Sequence, residues 1–257
     1  MENFRAQCNV VVLTKNEEQT LAQCLASLHW CGEIVVVDSA SVDRTAQIAR
    51  EMGARVLEHV QQGVFKIDEQ RNWALEHGGL KGEWVLFLDA DEEVTDELAR
   101  EIQRVCNAAP APYNAYELTP KYLFWGRWLK RTQGYPNWHA RLLKLGEGVR
   151  FEGGVWEHFS GNARVGKIRV PYNHYANAKG LSDWLARHDR YSSWDAQKTV
   201  SYLESKDAAA LGTSRKLFLR ELAARFWFLR PFARFFQMYF YRLGFLEGFS
   251  ALVFCSL

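Results

Sequence analysis

The sequence predicts an α/β fold, a mostly parallel sheet flanked by helices, with a helical extension at the C-terminal end. Three observations lead there. The runs Asn9–Leu13, Glu33–Val37 and Trp84–Leu88 have the length and the β-branched or aromatic content of strands buried on both faces. Segments with apolar residues at helical spacing separate them, and such alternation implies parallel pairing through right-handed crossovers. From Lys216 onward the composition shifts to Phe, Trp, Tyr and Leu threaded by Arg.

The first strand leaves through Thr14-Lys-Asn-Glu-Glu18, after which Leu21, Cys24, Leu25 and Leu28 recur at helical spacing. The second strand ends at Asp38. Asp43-Arg-Thr45 then opens a helix through Ala46, Ile48, Ala49 and Met52, closed by Gly53. Ala54–Leu57 is a short strand, and Ile67–Glu76 a helix ended by Gly78-Gly79. After the strand Trp84–Leu88 comes a helix around Glu97–Ile102. Residues 113–175 hold short β-like runs, such as Tyr116–Thr119 and Ala140–Lys144, and a helical segment starts at Leu181. The chain divides into residues 1–112, residues 113–205 as a second half of the same domain, and a helical, aromatic and basic tail, 206–257.

A length of 257 residues suits one large domain with a small appendage, and 48% apolar residues allow an ordinary core. A net charge of +2 argues against a dedicated nucleic-acid binder. The five cysteines are scattered and lack metal-site spacing, which suits a reducing cytosol. Met1–Gln7 is polar and the run after it is too short for a secretory signal.

In parallel sheets of this kind, ligands bind beyond the carboxyl ends of the strands, where the polar clusters after Leu13, Val37 and Leu88 converge. Asp89 and Asp91 follow the run Trp84–Leu88, and residues i and i+2 of an extended segment point the same way. Bringing two carboxylates together is costly. A divalent cation removes that cost, because Mg2+ shares its shell between one or two carboxylates and substrate phosphates. The alternative is a strand running into an acidic helix start. Asp38 is a candidate to accept a hydrogen bond from a ribose or a base imide, with Ser41 beside it. Ser41 and Asp43 also suit an ordinary helix cap. Thr14, Asn16 and Glu17 carry the same ambiguity.

Together Val11-Val-Leu-Thr-Lys-Asn-Glu17, Val35-Val-Val-Asp-Ser-Ala-Ser-Val-Asp-Arg-Thr45, Gln70-Arg-Asn72 and Phe87-Leu-Asp-Ala-Asp-Glu92 resemble the family-2 inverting glycosyltransferases. The stretches Tyr122–Lys130, Tyr135-Pro136, Arg141-Leu-Leu143, Gly154–His158 and Pro171-Tyr-Asn-His174 are similar to the bacterial lipopolysaccharide-core glucosyltransferase branch. The resemblance implies a glycosyltransferase-A fold, with residues 1–112 binding a nucleotide-sugar and 113–205 an acceptor. It assigns Thr14, Asn16, Glu17, Asp38, Ser41, Arg71 and Asp89 to a UDP-sugar donor. Asp91 and, by analogy, His174 would hold Mg2+ or Mn2+ on the diphosphate. A buried structural role is the other reading of His174.

Inversion needs a base on the acceptor face, and Glu157 is the expected one, with Glu152 and Glu92 as rivals. A pairing of Glu157 with Arg141 is the alternative, and the Glu-Asp pair common in the family is absent. Trp125, Arg127, Tyr135 and Arg141 are expected on the acceptor side, where Trp faces stack on sugars and Arg meets phosphates. Trp125 and Trp128 would otherwise cover a sheet edge.

The tail lacks the ~18 continuous apolar residues of a spanning helix. Arginines amid aromatics suit an interfacial helix on a membrane surface, and a docked C-terminal helix or a dimer contact is the alternative. The expected enzyme moves a hexose, glucose from UDP-glucose, to a lipid-linked saccharide such as the lipopolysaccharide inner core. It would act in the cytoplasm, peripheral to the inner face of the bacterial inner membrane. Transfer to a polyprenyl phosphate and a non-catalytic nucleotide-sugar-binding module are the rival functions. A nucleotidyltransferase would need a Gly-rich or basic triphosphate loop near the N-terminus, and Val11–Glu18 contains no glycine.

Overall fold

The computed structural model describes residues 8–63, 65–108, 112–154, 157–205 and 226–257. Met1–Gln7, Trp156 and residues 206–225 of the expected tail lie outside them. The chain packs as two units, residues 1–123 with 135–178, and residues 124–134 with 179–257.

In the first unit, β1 (Cys8–Thr14), β2 (Glu33–Asp38), β3 (Arg55–Glu58) and β4 (Trp84–Asp89) form the parallel side of a seven-stranded sheet. The order is β3-β2-β1-β4. The predicted strands and their parallel pairing are present. The valine-rich runs alternate between two cores, as a sheet's period of two demands. Val10, Val12, Val36, Leu86 and Leu88 face one side, with Leu21, Leu25 and Ile102. Val11, Val35, Val37, Val85 and Phe87 face the other, with Ala74 and Phe151. Each such side chain contributes about 1.5–3 kcal/mol by leaving water.

The crossover helices are α1 (Leu21–Ala26), α2 (Thr45–Glu51), α3 (Ile67–His77) and α4 (Asp96–Cys106). Thr95 caps α4 by accepting from Leu98 N at 3.2 Å, and Asp96 and Glu97 in the first turn complement the helix dipole.

Beyond β4 the sheet departs from parallel pairing. The elements here include β5 (Glu92–Glu93), β6 (Ala115–Leu118) and β7 (Pro120–Phe124); β8 (Arg127–Trp128) falls in the second unit. Strand β9 (His139–Lys144) inserts antiparallel between β4 and β6, and Ala140, Leu142 and Leu143 make it a buried central strand. Next come the hairpin β10 (Val149–Glu152) and β11 (His158–Gly161), and then β12 (Val165–Lys167) on the far edge beside β6. Strand β13 (Tyr172–His174) pairs antiparallel with β5 and parallel with β7, setting His174 opposite Glu92.

The second unit contains α5 (Gly180–Ser205), which begins one residue before the predicted start at Leu181. Its C-terminal part holds α6 (Arg230–Phe236) and α7 (Phe249–Ser256). The tail is helical here but broken. A π turn spans Gln237–Tyr241, a 3-10 turn spans Gly244–Glu247, and Leu243 takes a φ of 59° between them. Phe124, Leu129 and Ala251 form its core, with Leu181, Val253 and Phe254 against them. The buried Glu247 carboxylate accepts from Arg131 N (2.6 Å), Thr132 N (2.9 Å) and Thr132 Oγ1 (2.6 Å). Gly244 lets this approach happen, since a Cβ there would sit 2.7 Å from Met238 O and 2.8 Å from Thr132 Oγ1.

Candidate active site

Strand register brings the polar loops together. Thr14 pairs with Asp38 across β1 and β2, and Leu13 with Asp89 across β1 and β4, so the three strand ends share one rim. Asp38 ties the first two loops. Its Oδ1 accepts from Thr14 Oγ1 at 2.7 Å and from Ser41 Oγ at 2.5 Å, and its Oδ2 from Ser41 N at 2.7 Å. A carboxylate offers about four acceptor positions, and three of those on Asp38 are filled by these bonds.

Asn16 continues the same lattice, accepting from Val42 N at 2.9 Å and donating its own N–H to Ser41 Oγ at 2.8 Å. Its φ of 56° lies in the left-handed region that Asn tolerates better than most residues. Glu17 donates its backbone N–H to Thr45 Oγ1 at 2.7 Å and accepts from Thr20 Oγ1 at 2.8 Å. Asp43, expected to cap α2, lies one residue before its N-cap, Arg44, and accepts from Thr45 N at 3.0 Å and from the Thr45 hydroxyl. Asn16 holds loop to loop and does not cap a helix.

Helix α3 supplies three consecutive side chains with separate tasks. Gln70 donates to Ser39 Oγ and His59 O, Arg71 turns to the carboxylates, and Asn72 exchanges two bonds with the Phe151 backbone. Arg71 is fully buried, flanked by the Phe87 and Phe151 rings at 5.6 and 5.5 Å. It pairs with Asp89 Oδ1 at 3.2 Å and Glu157 Oε1 at 2.9 Å. Arg141, expected on the acceptor side, is instead 3% exposed beneath the carboxylates. It meets Asp89 Oδ2 at 3.0 Å and Glu92 Oε1 at 2.7 Å, and Glu157 at 4.0 Å. The reason is topological, since β9 is a central strand and its middle side chains have no solvent to reach. Arg71 Nη1 and Arg141 Nε have no hydrogen-bond partner among the described residues.

Burial works to raise the pKa of Asp89, but the Arg141 and Arg71 charges outweigh it and hold the carboxyl below its usual range. Burial wins at Glu157, lifting its pKa despite Arg71 and Arg141. Glu92 is pushed up to about 7, mainly by burial against the pull of Arg141. It also accepts from Asp89 N at 3.0 Å, so it braces the turn and is a poor rival for an acceptor-facing base. Glu152, the other rival, is exposed on β10, where it pairs with His158 of β11. Replacing Arg141 by Met is expected to lower stability by about 3–5 kcal/mol, because the buried Glu92 loses its arginine partner while Asp89 keeps only Arg71. Urea midpoints would measure it, and adding Glu92→Gln should recover part of the loss.

His174 Nε2 lies 3.5 Å from Asp91 Oδ2, and its Nδ1 lies 3.7 Å from Glu92 Oε1. Burial disfavours its protonation, yet Asp91 and Glu92 raise its pKa overall. Among the described residues no group of three or more His, Cys, Asp or Glu is set to hold an ion by protein alone. Mg2+ bound together with a substrate phosphate asks for less, one or two carboxylates with phosphate and water completing the shell. Asp91 would supply such a carboxylate, with His174 beside it as a nitrogen donor.

Tyr135 donates to Arg169 O at 3.2 Å in the first unit, and Trp125 and Arg127 are exposed in the second. Sequence reasoning missed the layer under Arg141. Tyr172 lies 5.7 Å from its guanidinium carbon and contacts His139 Nδ1 at 2.9 Å, and burial depresses the His139 pKa to about 3. The isolated His139, without periodic neighbours of its kind, offered no signal.

A family model described as "Glycosyl transferase family 2" matches residues 9–156. The chain is 26% identical over 201 residues to the lipopolysaccharide core biosynthesis glycosyltransferase LpsC of Rhizobium meliloti, covering 74% of this chain and 70% of that protein. It is 36% identical over 95 residues to the uncharacterized glycosyltransferase RT0209 of Rickettsia typhi, covering 37% of this chain and 31% of that one. The match spans only 24% of another relative, a TPR repeat-containing protein of Synechococcus elongatus. Among solved structures, glucosyl-3-phosphoglycerate synthase from Mycobacterium tuberculosis, in complex with Mn2+, UDP and glucosyl-3-phosphoglycerate, superposes with a TM-score of 0.46. Identity there is 17%, covering 70% of this chain and 75% of that one.

Proposed function

The chain belongs to glycosyl transferase family 2, and from that premise we propose that it is a metal-dependent, inverting glycosyltransferase. It moves a hexose, glucose from UDP-glucose, to a lipid-linked saccharide such as the lipopolysaccharide inner core. The observation that carries this reading is the shared rim of β1, β2 and β4, which ends in Asp38 and Asp89, with Asp89 seated on the buried Arg71 and Arg141 and Asp91 two residues beyond it. The likeness to LpsC, named for lipopolysaccharide core biosynthesis, supports the acceptor class.

In this reading the remaining acceptor position of Asp38 takes the base imide N–H, with Thr14, Asn16, Glu17 and Ser41 shaping the pocket around it. Asp89 receives the ribose. Asp91 and His174 hold Mg2+ or Mn2+, which when bound offsets the charge of the diphosphate. Arg71 and Arg141 hold Asp89 ionised and fix the neighbouring carboxylates in place. Glu157 takes the proton of the acceptor hydroxyl as that oxygen bonds to C1 and the C1–O bond to UDP breaks on the opposite face. Its raised pKa brings it closer to the working pH, where a general base is most effective. Residues 1–112 serve the donor and 113–205 the acceptor, with Tyr135, Trp125 and Arg127 as acceptor contacts.

No helix among the described residues is long and apolar enough to cross a membrane. The proposed location is peripheral, on the cytoplasmic face of the bacterial inner membrane. A nucleotide-release screen across UDP-, GDP- and ADP-sugars, with Mg2+, Mn2+ or chelator and a heptose-bearing lipid acceptor, tests the reading. Release of UDP from UDP-glucose with a divalent ion is expected, and turnover that persists in chelator would overturn the metal dependence.

A further inference from the structure

The C-terminal segment has two faces, and packing accounts for one of them. Met238, Gly244, Glu247, Ala251 and Cys255 are buried, and Glu247 fastens the backbone of Arg131 and Thr132. The other face is aromatic and open. Phe228, Phe232, Phe236 and Phe240 recur every fourth residue, which puts them in one stripe of a helical segment. Phe232 is 71% exposed and Phe236 65%, and Phe249 beyond them is 72% exposed. Single exposed apolar residues need no explanation, but a stripe of this size marks an interaction surface.

Charge says what the surface meets. Residues 226–246 contain Arg230, Arg234 and Arg242 and no acidic residue. The one carboxylate side chain in 226–257, Glu247, is withdrawn into the knot with Thr132. Arg230 and Arg234, both exposed, fall two positions from the Phe stripe, roughly 200° around a helix, so the two cations stand opposite the exposed rings. That is the pattern of a helix lying in a bilayer interface, rings in the acyl boundary and guanidinium groups among lipid phosphates. A second copy of this chain would present the same cations and repel it.

We propose that residues 226–249 form the docking face for an anionic lipid bilayer, with Phe228, Phe232, Phe236 and Phe249 as the inserting residues. Through Glu247 the same segment grips the loop that carries Trp125 and Arg127, so anchoring the segment anchors that loop. The choice of a lipid surface rests on the proposed lipid-linked acceptor, whereas binding itself requires no turnover.

The test is flotation of the full chain with phosphatidylcholine vesicles, with and without phosphatidylglycerol. Wild type should float with the anionic vesicles. The triple variant Phe232→Glu/Phe236→Glu/Phe249→Glu should lose partitioning by roughly a hundred-fold or more. These side chains are exposed, so circular dichroism and UDP titration should match wild type. Arg230→Gln/Arg234→Gln should weaken binding about five-fold per arginine and flatten its salt dependence. Equal flotation of wild type and triple variant, or wild type left unbound by anionic vesicles, overturns the proposal. So does a wild-type dimer that the triple variant splits without any flotation. UDP release in detergent is measured alongside, so a lost anchor and a wrong enzymatic reading give different results.

Discussion

Asp91→Asn is expected to lower hexose transfer by about a thousand-fold or more while leaving the fold intact, on the scale seen when a principal charge stabiliser is lost. The amide keeps the volume of the side chain, and the Asp91 carbonyl would still accept from Tyr175 N at 2.9 Å. What disappears is the negative charge beside His174. Without it a divalent cation on the diphosphate would have only a weak neutral ligand here, and His174 loses the leading cause of its raised pKa. UDP-release rates across a Mn2+ titration would show the defect as lost metal affinity as well as lost rate. A variant with full activity would remove the metal from the scheme.

Glu157→Gln is expected to cut turnover by about 10²–10⁴-fold, the usual contribution of a positioned base. Donor binding should change far less, and single-turnover kinetics with a donor titration separate the two. The pH profile gives a second readout. Glu157 must be ionised to act, and burial raises its pKa, so kcat/KM should fall as pH drops through that raised value. The acid limb therefore lies above the roughly 4.3 of an unperturbed glutamate and vanishes in the glutamine variant. Unchanged turnover would place the base elsewhere, or point to an acceptor already anionic, as a polyprenyl phosphate is.

The parallel half of the sheet was legible because its strands are simple in composition. A run such as Val35-Val-Val37 is buried on both faces, and strand ends such as Asp38 and Asp89 mark where the polar rim begins. The antiparallel strand β9 was legible as a β-like run but not as a central strand, since pairing partners distant in sequence leave no local pattern. The same blindness displaced Arg141. An arginine beside Leu142 and Leu143 reads as a surface cation until topology closes β4 and β6 around it. Asp38 was recognisable as a ligand candidate, whereas its bonds to Thr14 and Ser41 depend on two loops meeting in space.

All five cysteines are buried thiols, and no disulfide joins them among the described residues. Cys8, Cys24, Cys31 and Cys106 belong to the first packing unit and Cys255 to the second. Burial raises the thiol pKa at Cys24 and Cys255, so these sulfurs stay protonated and sheltered while the protein is closed. A thiol-specific alkylating reagent can therefore reach them only when the surrounding structure opens. Each unit thus carries an intrinsic chemical clock for its own opening, with the adduct's position telling which one unfolded first.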